Sequence, residues 1–266
     1  MTVLLSSDTA GVRTLTLNRP HRKNALDAEL WHALRTALTE IAHDRAVRAL
    51  VLTGAQGAFC SGADLKAADT RDPQDKLRDL NEVALLLHEL PIPTIAKVTG
   101  VAVGAGWNLA LGCDLVVATP ESRFAQIFTR RGLSPDCGGT WLLPKLAGLQ
   151  QARRLALLAD PIDAAEASSL NLVTWVVPDE EIDDYVSELV ARLAAGPPVA
   201  LAQTKALLNE NTDRTLGEAL AAEARAQQVN LATTDVREAY AAFTERREPR
   251  FTGRRHRQED PECAQQ

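Results

Sequence analysis

The sequence lacks the features that mark membrane, secreted and metal-binding proteins. No apolar run approaches the length of a membrane span, and the N-terminal stretch MTVLLSSDTAGVRTLTLNRP is typical of strands rather than of a signal peptide. The five histidines have no metal-ligand spacing, so we expect no metal. A net charge of −6 argues against a nucleic-acid-binding surface.

The sequence also lacks the C-x-x-C motif. Its four cysteines are Cys60, Cys113, Cys137 and Cys263, and no two of them have this spacing. We therefore expect reduced thiols in a cytoplasmic protein, with Cys60 and Cys113 as small buried side chains. The apolar content of 45% and the charged content of 24% are those of an ordinary globular protein.

Strand and helix signals alternate through the first half of the chain. The runs TVLLS and VRTLTL flank the turn residues SDTAG, which predicts a hairpin. Asp27 precedes a helical stripe and is a candidate N-cap. VRALVLTG is typical of a buried strand, and residues 75–89 predict a helix that ends before Pro91. This alternation favours an α/β fold, and from about residue 140 the pattern becomes almost wholly helical.

Two glycine-rich stretches, GAFCSGADL (residues 57–65) and VTGVAVGAGWNLALGCD (residues 98–114), follow strand-like runs. The second lacks the third glycine of a dinucleotide fingerprint. The first lacks the spacing of a nucleophile elbow, so Ser61 is interpreted as a structural hydroxyl. Small residues at such junctions leave backbone N–H groups free, and one from each stretch could form an oxyanion hole. Tight loops without catalytic function are the alternative.

The stretch GLSPDCGGTW places Asp136 between a proline and two glycines. These residue types are what any surface turn uses, since proline presets φ and glycine permits positive φ. A carboxylate that transfers protons is the competing interpretation, and the rest of the chain decides between them.

Five stretches in order resemble the crotonase, or enoyl-CoA hydratase/isomerase, superfamily, over about residues 3–253. The resemblance implies an α/β fold built as a spiral of ββα units, a C-terminal helical region for trimer formation, and acyl-CoA thioester substrates. Its oxyanion-hole donors would be the amides of Ala63 and Ala105. The implied division is an acyl-CoA-binding core over residues 1–195 and a helical region over 196–253, while residues 254–266 are polar and unpatterned and are expected to form a poorly ordered tail. The stretches are NRPHRKNAL, GAFCSGADL, VTGVAVGAGWNLALGCDLVVA, FAQIFTRRGLSPDCGGTWLLPKLAG and the ensuing helical third.

The sequence departs from the hydratases of this family at both of their glutamate positions, which hold Asn108 and Phe128. An amide and a phenyl ring cannot replace two carboxylates in the addition of water. RRGLSPDCGGTWLLP is similar to the 1,2-epoxyphenylacetyl-CoA isomerases, in which an aspartate at the Asp136 position is the catalytic carboxylate. The resemblance therefore favours an isomerase that shifts a double bond, or rearranges a ring epoxide, through a thioester enolate. A hydratase or other lyase, and an inert acyl-CoA-binding homologue, remain as alternatives.

Further binding residues follow from the same resemblance. Trp107, Phe128 and Leu133 are candidate walls of the acyl pocket, and Asn108 either bonds near the acyl group or fills the space of the missing glutamate. We expect no cofactor beyond the coenzyme A thioester of the substrate, and a homotrimer or a dimer of trimers. The coenzyme A portion is expected along Arg22, Lys23, Ala25, Ser61, Asp64, Leu65 and Lys66, with the three cations as candidate phosphate contacts or as ordinary surface charges.

Overall fold

A computed structural model describes residues 2–65 and 71–256 of the chain. Its strands form two sheets. The larger has the order β1-β2-β3-β4-β6-β9, in which β1 is antiparallel to β2 and the other neighbours are parallel. The smaller has the order β5-β7-β8. The strands are β1 Leu4–Thr9, β2 Val12–Leu17, β3 Ala49–Gly54, β4 Thr94–Val98, β5 Val101–Val103, β6 Leu115–Ala118, β7 Arg123–Ala125, β8 Ile162–Asp163 and β9 Trp175–Val176.

Helices connect these strands and make up most of the chain after β7. Short 3-10 turns lie at Pro20–Arg22 and Ile127–Arg131. The helices are α1 Ala28–His43, α2 Pro73–Glu89, α3 Ala105–Leu111, α4 Gly139–Leu158, α5 Ala164–Ser169, α6 Ile182–Ala195, α7 Pro198–Asn211, α8 Leu216–Leu231 and α9 Thr234–Glu245. The expected α/β class is confirmed.

Local signals account for several of these elements. The predicted hairpin is confirmed as β1 and β2. Asp27 caps α1, because its side chain accepts a hydrogen bond from the Leu30 amide at 2.9 Å. The residues of β3 are buried except at its glycine end, as expected for a parallel strand covered on both faces. Cys60 and Cys113 are buried and form no disulfide, as predicted, whereas Cys263 lies outside the described residues.

The chain divides into two compact units. One comprises the residues up to Leu90 together with Thr94–Ala191, and the other comprises Pro91–Pro93 together with the residues from Arg192 onward. All residues discussed below as a candidate site belong to the first unit. The division predicted at residue 195 stays a prediction, and residues 257–266 of the expected tail lie outside the described residues.

The described residues contain neither a membrane-spanning helix nor a metal-binding cluster. No helix there is long and apolar enough to cross a membrane. Among the same residues, no group of three or more His, Cys, Asp or Glu side chains is arranged to hold a metal ion.

Candidate active site

The two glycine-rich stretches lie side by side at the edge of the smaller sheet. The Cys60 amide donates to the Val101 carbonyl at 2.9 Å, and the Val103 amide donates to the Cys60 carbonyl at 2.9 Å. Gly106 packs closely against Cys60, since a Cβ added to Gly106 would lie 2.7 Å from Cys60 Sγ. A side chain at residue 106 would therefore push the two stretches apart.

The same contact brings the two predicted amide donors together. A Cβ added to Gly62 would lie 2.8 Å from the Val103 carbonyl oxygen and 3.9 Å from the Ala105 amide nitrogen. Because Ala63 follows Gly62 directly, the amides of Ala63 and Ala105 belong to backbone segments in contact with each other. The glycine at residue 62 has a φ of +87°, which also excludes most other residues.

Neither of these amides donates a hydrogen bond within the part of the chain that the structure describes. The backbone groups on either side of Ala63 do form hydrogen bonds. The Leu26 amide donates to the Gly62 carbonyl at 2.8 Å, and the Asp64 amide donates to the Leu26 carbonyl at 2.9 Å. Ala105 is the first residue of α3, where helical amides have no intrahelical acceptor. Two unused donors on adjacent segments are what an oxyanion hole requires.

Asp136 is half-buried, and its Oδ1 atom is buried without a hydrogen-bond partner among the described residues. Burial raises the pKa of the Asp136 carboxyl to about 6, although a hydrogen bond from its own amide acts in the opposite direction. A carboxyl with this pKa is partly protonated near neutral pH and can both accept and return a proton. The side chain is therefore not an ordinary solvated turn residue.

Asn108 and Gln126 hold the backbone of this aspartate. Asn108 Nδ2 donates to the Asp136 carbonyl at 2.8 Å, and Gln126 Nε2 donates to Asn108 Oδ1 at 2.7 Å. Asn108 is 1% exposed and Gln126 is fully buried. Both ends of the Asn108 amide thus contact protein. Sequence reasoning missed Gln126, whose only signal is a polar residue inside the apolar run FAQIF.

Cys137 links the aspartate to the first glycine-rich stretch. Burial raises the pKa of its thiol, and the nearby Asp136 carboxylate and Cys60 thiol raise it further. The Cys60 thiol lies three residues before Ala63, and its own pKa is raised to about 12 by burial. Cys137 is therefore close enough to Asp136 and to Cys60 to interact electrostatically with each of them, and both thiols stay protonated near neutral pH.

Phe128 forms an apolar wall beside the second amide donor. A Cβ added to Gly104 would lie 3.6 Å from Phe128 Cζ and 3.5 Å from Ile127 Cγ2. Phe128 is buried, and Gly104 directly precedes Ala105. The phenyl ring thus occupies space next to the candidate oxyanion hole and presents an apolar surface there.

The other predicted wall residues differ in their surroundings. Trp107 is fully buried, and its ring centroid lies 5.4 Å from that of Phe124, which makes it part of the core packing. Leu133 is 57% exposed, and Leu65, which is expected along the coenzyme A portion, is 65% exposed, so no wall of protein surrounds either residue. Their contact with substrate stays a prediction.

Ser61 connects the two segments expected to receive coenzyme A. Its amide donates to the Lys23 carbonyl at 3.0 Å, and its Oγ donates to the Arg22 carbonyl at 3.1 Å. The side chains of Arg22 and Lys23 are exposed and available to phosphate groups, whereas Ala25 is buried. Lys66 lies outside the described residues.

Arg19, which sequence reasoning missed, joins the same two segments. Its guanidinium contacts the Asp64 carboxylate at 2.8 Å and the Asp27 carboxylate at 2.9 Å, and donates to the Ala25 carbonyl. The Arg19 and Asp64 side chains are only 12% and 7% exposed. Asp64 thus binds protein next to Ala63, and the guanidinium braces the backbone that carries the first amide donor.

The Arg19→Met variant is expected to lower the free energy of unfolding by about 3 kcal/mol, because it leaves two shielded carboxylates without their counter-charge. Arg13→Met is the matched control. Arg13 pairs with Asp8, whose side chain is 57% exposed, so its loss should cost less than about 1 kcal/mol. Urea unfolding of the three proteins measures both values, and equal losses in the two variants would contradict a special role of Arg19.

Comparison with known proteins identifies the family. Residues 7–254 match the enoyl-CoA hydratase/isomerase family. The chain belongs to this family. It is 39% identical over 262 residues to the 1,2-epoxyphenylacetyl-CoA isomerase of Escherichia coli K12, covering 96% of this chain and all of that protein. The match covers 248 of 266 residues (254 − 7 + 1), so the predicted family and its crotonase fold are confirmed over nearly the whole chain.

Solved structures of family members support the same fold. The chain is 30% identical to an enoyl-CoA hydratase of Bacillus anthracis, with a TM-score of 0.91 over 94% of this chain and 99% of that one. It is 34% identical to an enoyl-CoA hydratase of Mycobacterium smegmatis, with a TM-score of 0.88 over 94% of this chain and 99% of that one. The protein is therefore an enzyme of the enoyl-CoA hydratase/isomerase family, as predicted.

Proposed function

We propose that this family member is an acyl-CoA isomerase that moves a double bond, or rearranges a ring epoxide, through a thioester enolate. One observation carries the proposal: Asp136 has a buried carboxylate oxygen with no hydrogen-bond partner among the residues that the structure describes, and a pKa raised to about 6. It lies on a loop bonded to α3, the helix whose first amide is the Ala105 donor. The 1,2-epoxyphenylacetyl-CoA isomerase of E. coli is a relative of similar length that supports the ring-epoxide form of the proposal.

The proposed reaction needs one proton-transferring group. The thioester carbonyl oxygen accepts hydrogen bonds from the amides of Ala63 and Ala105, which lowers the free energy of the enolate. Asp136 removes a proton from the α-carbon and the double bond moves. The resulting carboxylic acid then delivers a proton to the γ-carbon, two bonds away. Because the same carboxyl is base and then acid, the isomer forms with no net change in protonation of the enzyme.

Two residues disfavour hydration as the main reaction. Asn108 and Phe128 stand where the family's hydratases are expected to have glutamates. The Asn108 amide is engaged by Gln126 and by the Asp136 carbonyl, and Phe128 places an apolar ring beside Gly104. A water molecule there would find neither a second carboxylate nor a polar wall to orient it.

Isotope labelling separates the isomerase from a hydratase. We expect 3-enoyl-CoA substrates incubated in heavy-oxygen water to give 2-enoyl-CoA without oxygen label, because no bond to water oxygen forms. A 2-enoyl-CoA is incubated in the same water as well, since only its conjugated double bond can add water, and a labelled 3-hydroxyacyl-CoA as the main product would establish hydratase chemistry. Mass spectrometry of the acyl-CoA pool distinguishes the two outcomes, and a series of chain lengths together with a ring-epoxide substrate defines the acyl class.

The same samples prepared in deuterium oxide test the inert-binder alternative. An isomerase exchanges α- or γ-protons of the bound acyl group with solvent, whereas a protein that only binds acyl-CoA exchanges none above the enzyme-free rate. Absence of both exchange and turnover across the series would overturn the proposal.

Assembly into a homotrimer or a dimer of trimers is part of the proposal. The C-terminal unit exposes large apolar side chains, which a subunit interface would cover. These are Leu208, Leu216, Leu220, Leu231, Tyr240 and Phe243.

A further inference from the structure

The hydrogen-bond directions of the two buried amides near Asp136 are determined by their chemistry. A main-chain carbonyl can only accept, so Asn108 must direct its Nδ2 group at the Asp136 carbonyl, 2.8 Å away. Its Oδ1 atom then faces Gln126 and must accept from Nε2 of that residue, at 2.7 Å. Asn108 and Gln126, called here the amide pair, thus form one directed chain that ends on the backbone of Asp136.

The space around the Asn108 side-chain amide is tightly filled. A Cβ added to Gly139 would lie 2.5 Å from Asn108 Nδ2, and the Gly139 amide also donates to the Asp136 carbonyl at 3.0 Å. Between these contacts the backbone has positive φ angles at Cys137 (+49°) and Gly138 (+76°). Successive residues in this region are unfavourable unless the surrounding structure holds them.

We propose that Asn108 and Gln126 are positioning residues, which hold the carboxyl of Asp136 in its half-buried place by fixing the backbone carbonyl of the same residue. Neither side chain needs to touch the substrate for this role. A carboxylate at residue 108 could not perform it, because a carboxylate has no hydrogen to donate to the Asp136 carbonyl. The catalytic consequence rests on the proposed function, whereas the positioning itself does not.

The first test measures the Asp136 carboxyl in the absence of substrate. Carbon-13 NMR titration of aspartate-labelled protein, with the Asp136→Asn variant to assign the signal, gives its pKa directly. We expect the Gln126→Met and Asn108→Leu variants to lower this pKa by about one unit towards 3.8, because the released loop hydrates the carboxyl. The neighbouring Cys137 thiol remains protonated throughout this range and does not interfere.

Thr119→Val is the matched control, since it removes a buried side-chain hydrogen bond, to Ser122, away from the Asp136 loop. It should leave the Asp136 titration unchanged. An unchanged titration in the amide-pair variants as well would overturn the proposal. If one of the two variants does not fold, the other still carries the test, because both interrupt the same chain of bonds.

The second test follows turnover. We expect each amide-pair variant to lower kcat on the order of 10-fold to 100-fold through misplacement of the carboxyl, with acyl-CoA dissociation constants within about twofold of the parent protein. The double variant should be no slower than Asn108→Leu alone, since both residues act through one bond. Additive losses, or losses in binding instead of kcat, would contradict the positioning role. A parent protein without isomerase activity would refute the proposed function but would leave the titration test intact.

Discussion

The Asp136→Asn variant is expected to lose on the order of 10⁴-fold in isomerase turnover while it still binds acyl-CoA. A general acid–base group contributes about 10²-fold to 10⁴-fold to a rate, and the upper end applies because one carboxyl performs both proton transfers in the proposed mechanism. Asparagine keeps the shape of the side chain, and the amides of Ala63 and Ala105 are untouched, so substrate affinity should persist. Steady-state kinetics and calorimetric binding of an acyl-CoA measure the two quantities separately.

The pH dependence of the parent enzyme provides the internal check. Because the base must be ionised to begin the reaction, kcat/KM should fall as the pH drops through about 6, where the Asp136 carboxyl becomes protonated. The residual activity of Asp136→Asn should lack this acid limb. A variant with near-parental turnover, or one that keeps the acid limb, would remove Asp136 from the mechanism.

The same substitution is expected to stabilise the fold. A carboxyl whose pKa is raised from 3.8 to about 6 on folding opposes folding wherever it is ionised, so the cost is absent below pH 3.8 and complete above pH 6. The full shift corresponds to at most about 3 kcal/mol, and partial contact with solvent reduces it, so we expect a gain of about 1–2 kcal/mol at pH 7. Urea unfolding at pH 7 and pH 4 should show the gain at the higher pH alone. This opposition of activity and stability is typical of a functional carboxyl.

Much of the fold could be predicted because its signals are local. The β1–β2 hairpin follows from two alternating runs around turn residues, and the start of α1 follows from Asp27 before an apolar stripe. The sequence does not predict strands β8 and β9, which lie after residue 140, where the sequence pattern is mainly helical. Each has two residues, too few to show a period, and each pairs with a strand distant in sequence.

The candidate site was predictable only in part. The glycines and Asp136 stand out because their residue types restrict backbone geometry or carry charge. The partners of Arg19 and Gln126 could not be found in this way, since Asp64 is 45 residues from Arg19, and Asn108 is 18 residues from Gln126. Burial of a polar side chain depends on which segments the fold brings together, and no period in the sequence records that.

The second large expected loss of turnover follows from the Ala105→Pro substitution, which removes the Ala105 amide hydrogen. Ala105 is the first residue of α3, a position where proline is well tolerated because its N–H has no partner in the helix. The preceding Gly104 has φ +56° and ψ −128°, the mirror image of the extended conformation that residues before proline prefer, which glycine adopts without strain. Ala105→Pro should therefore fold.

The Ala105→Pro variant is expected to lose about 10²-fold to 10³-fold in kcat, because one oxyanion-hole donor contributes about 3 kcal/mol to stabilisation of the transition state. Ala105→Gly is its matched control, since it keeps the amide, and it should stay within about tenfold of the parent. Circular dichroism confirms that both variants are folded, and kcat for a 3-enoyl-CoA gives the comparison. Equal rates in the proline and glycine variants would mean that the Ala105 amide does not bind the thioester oxygen. The enolate would then need another hydrogen-bond donor, and the contact between the segments that carry Ala63 and Ala105 would serve the fold and not catalysis.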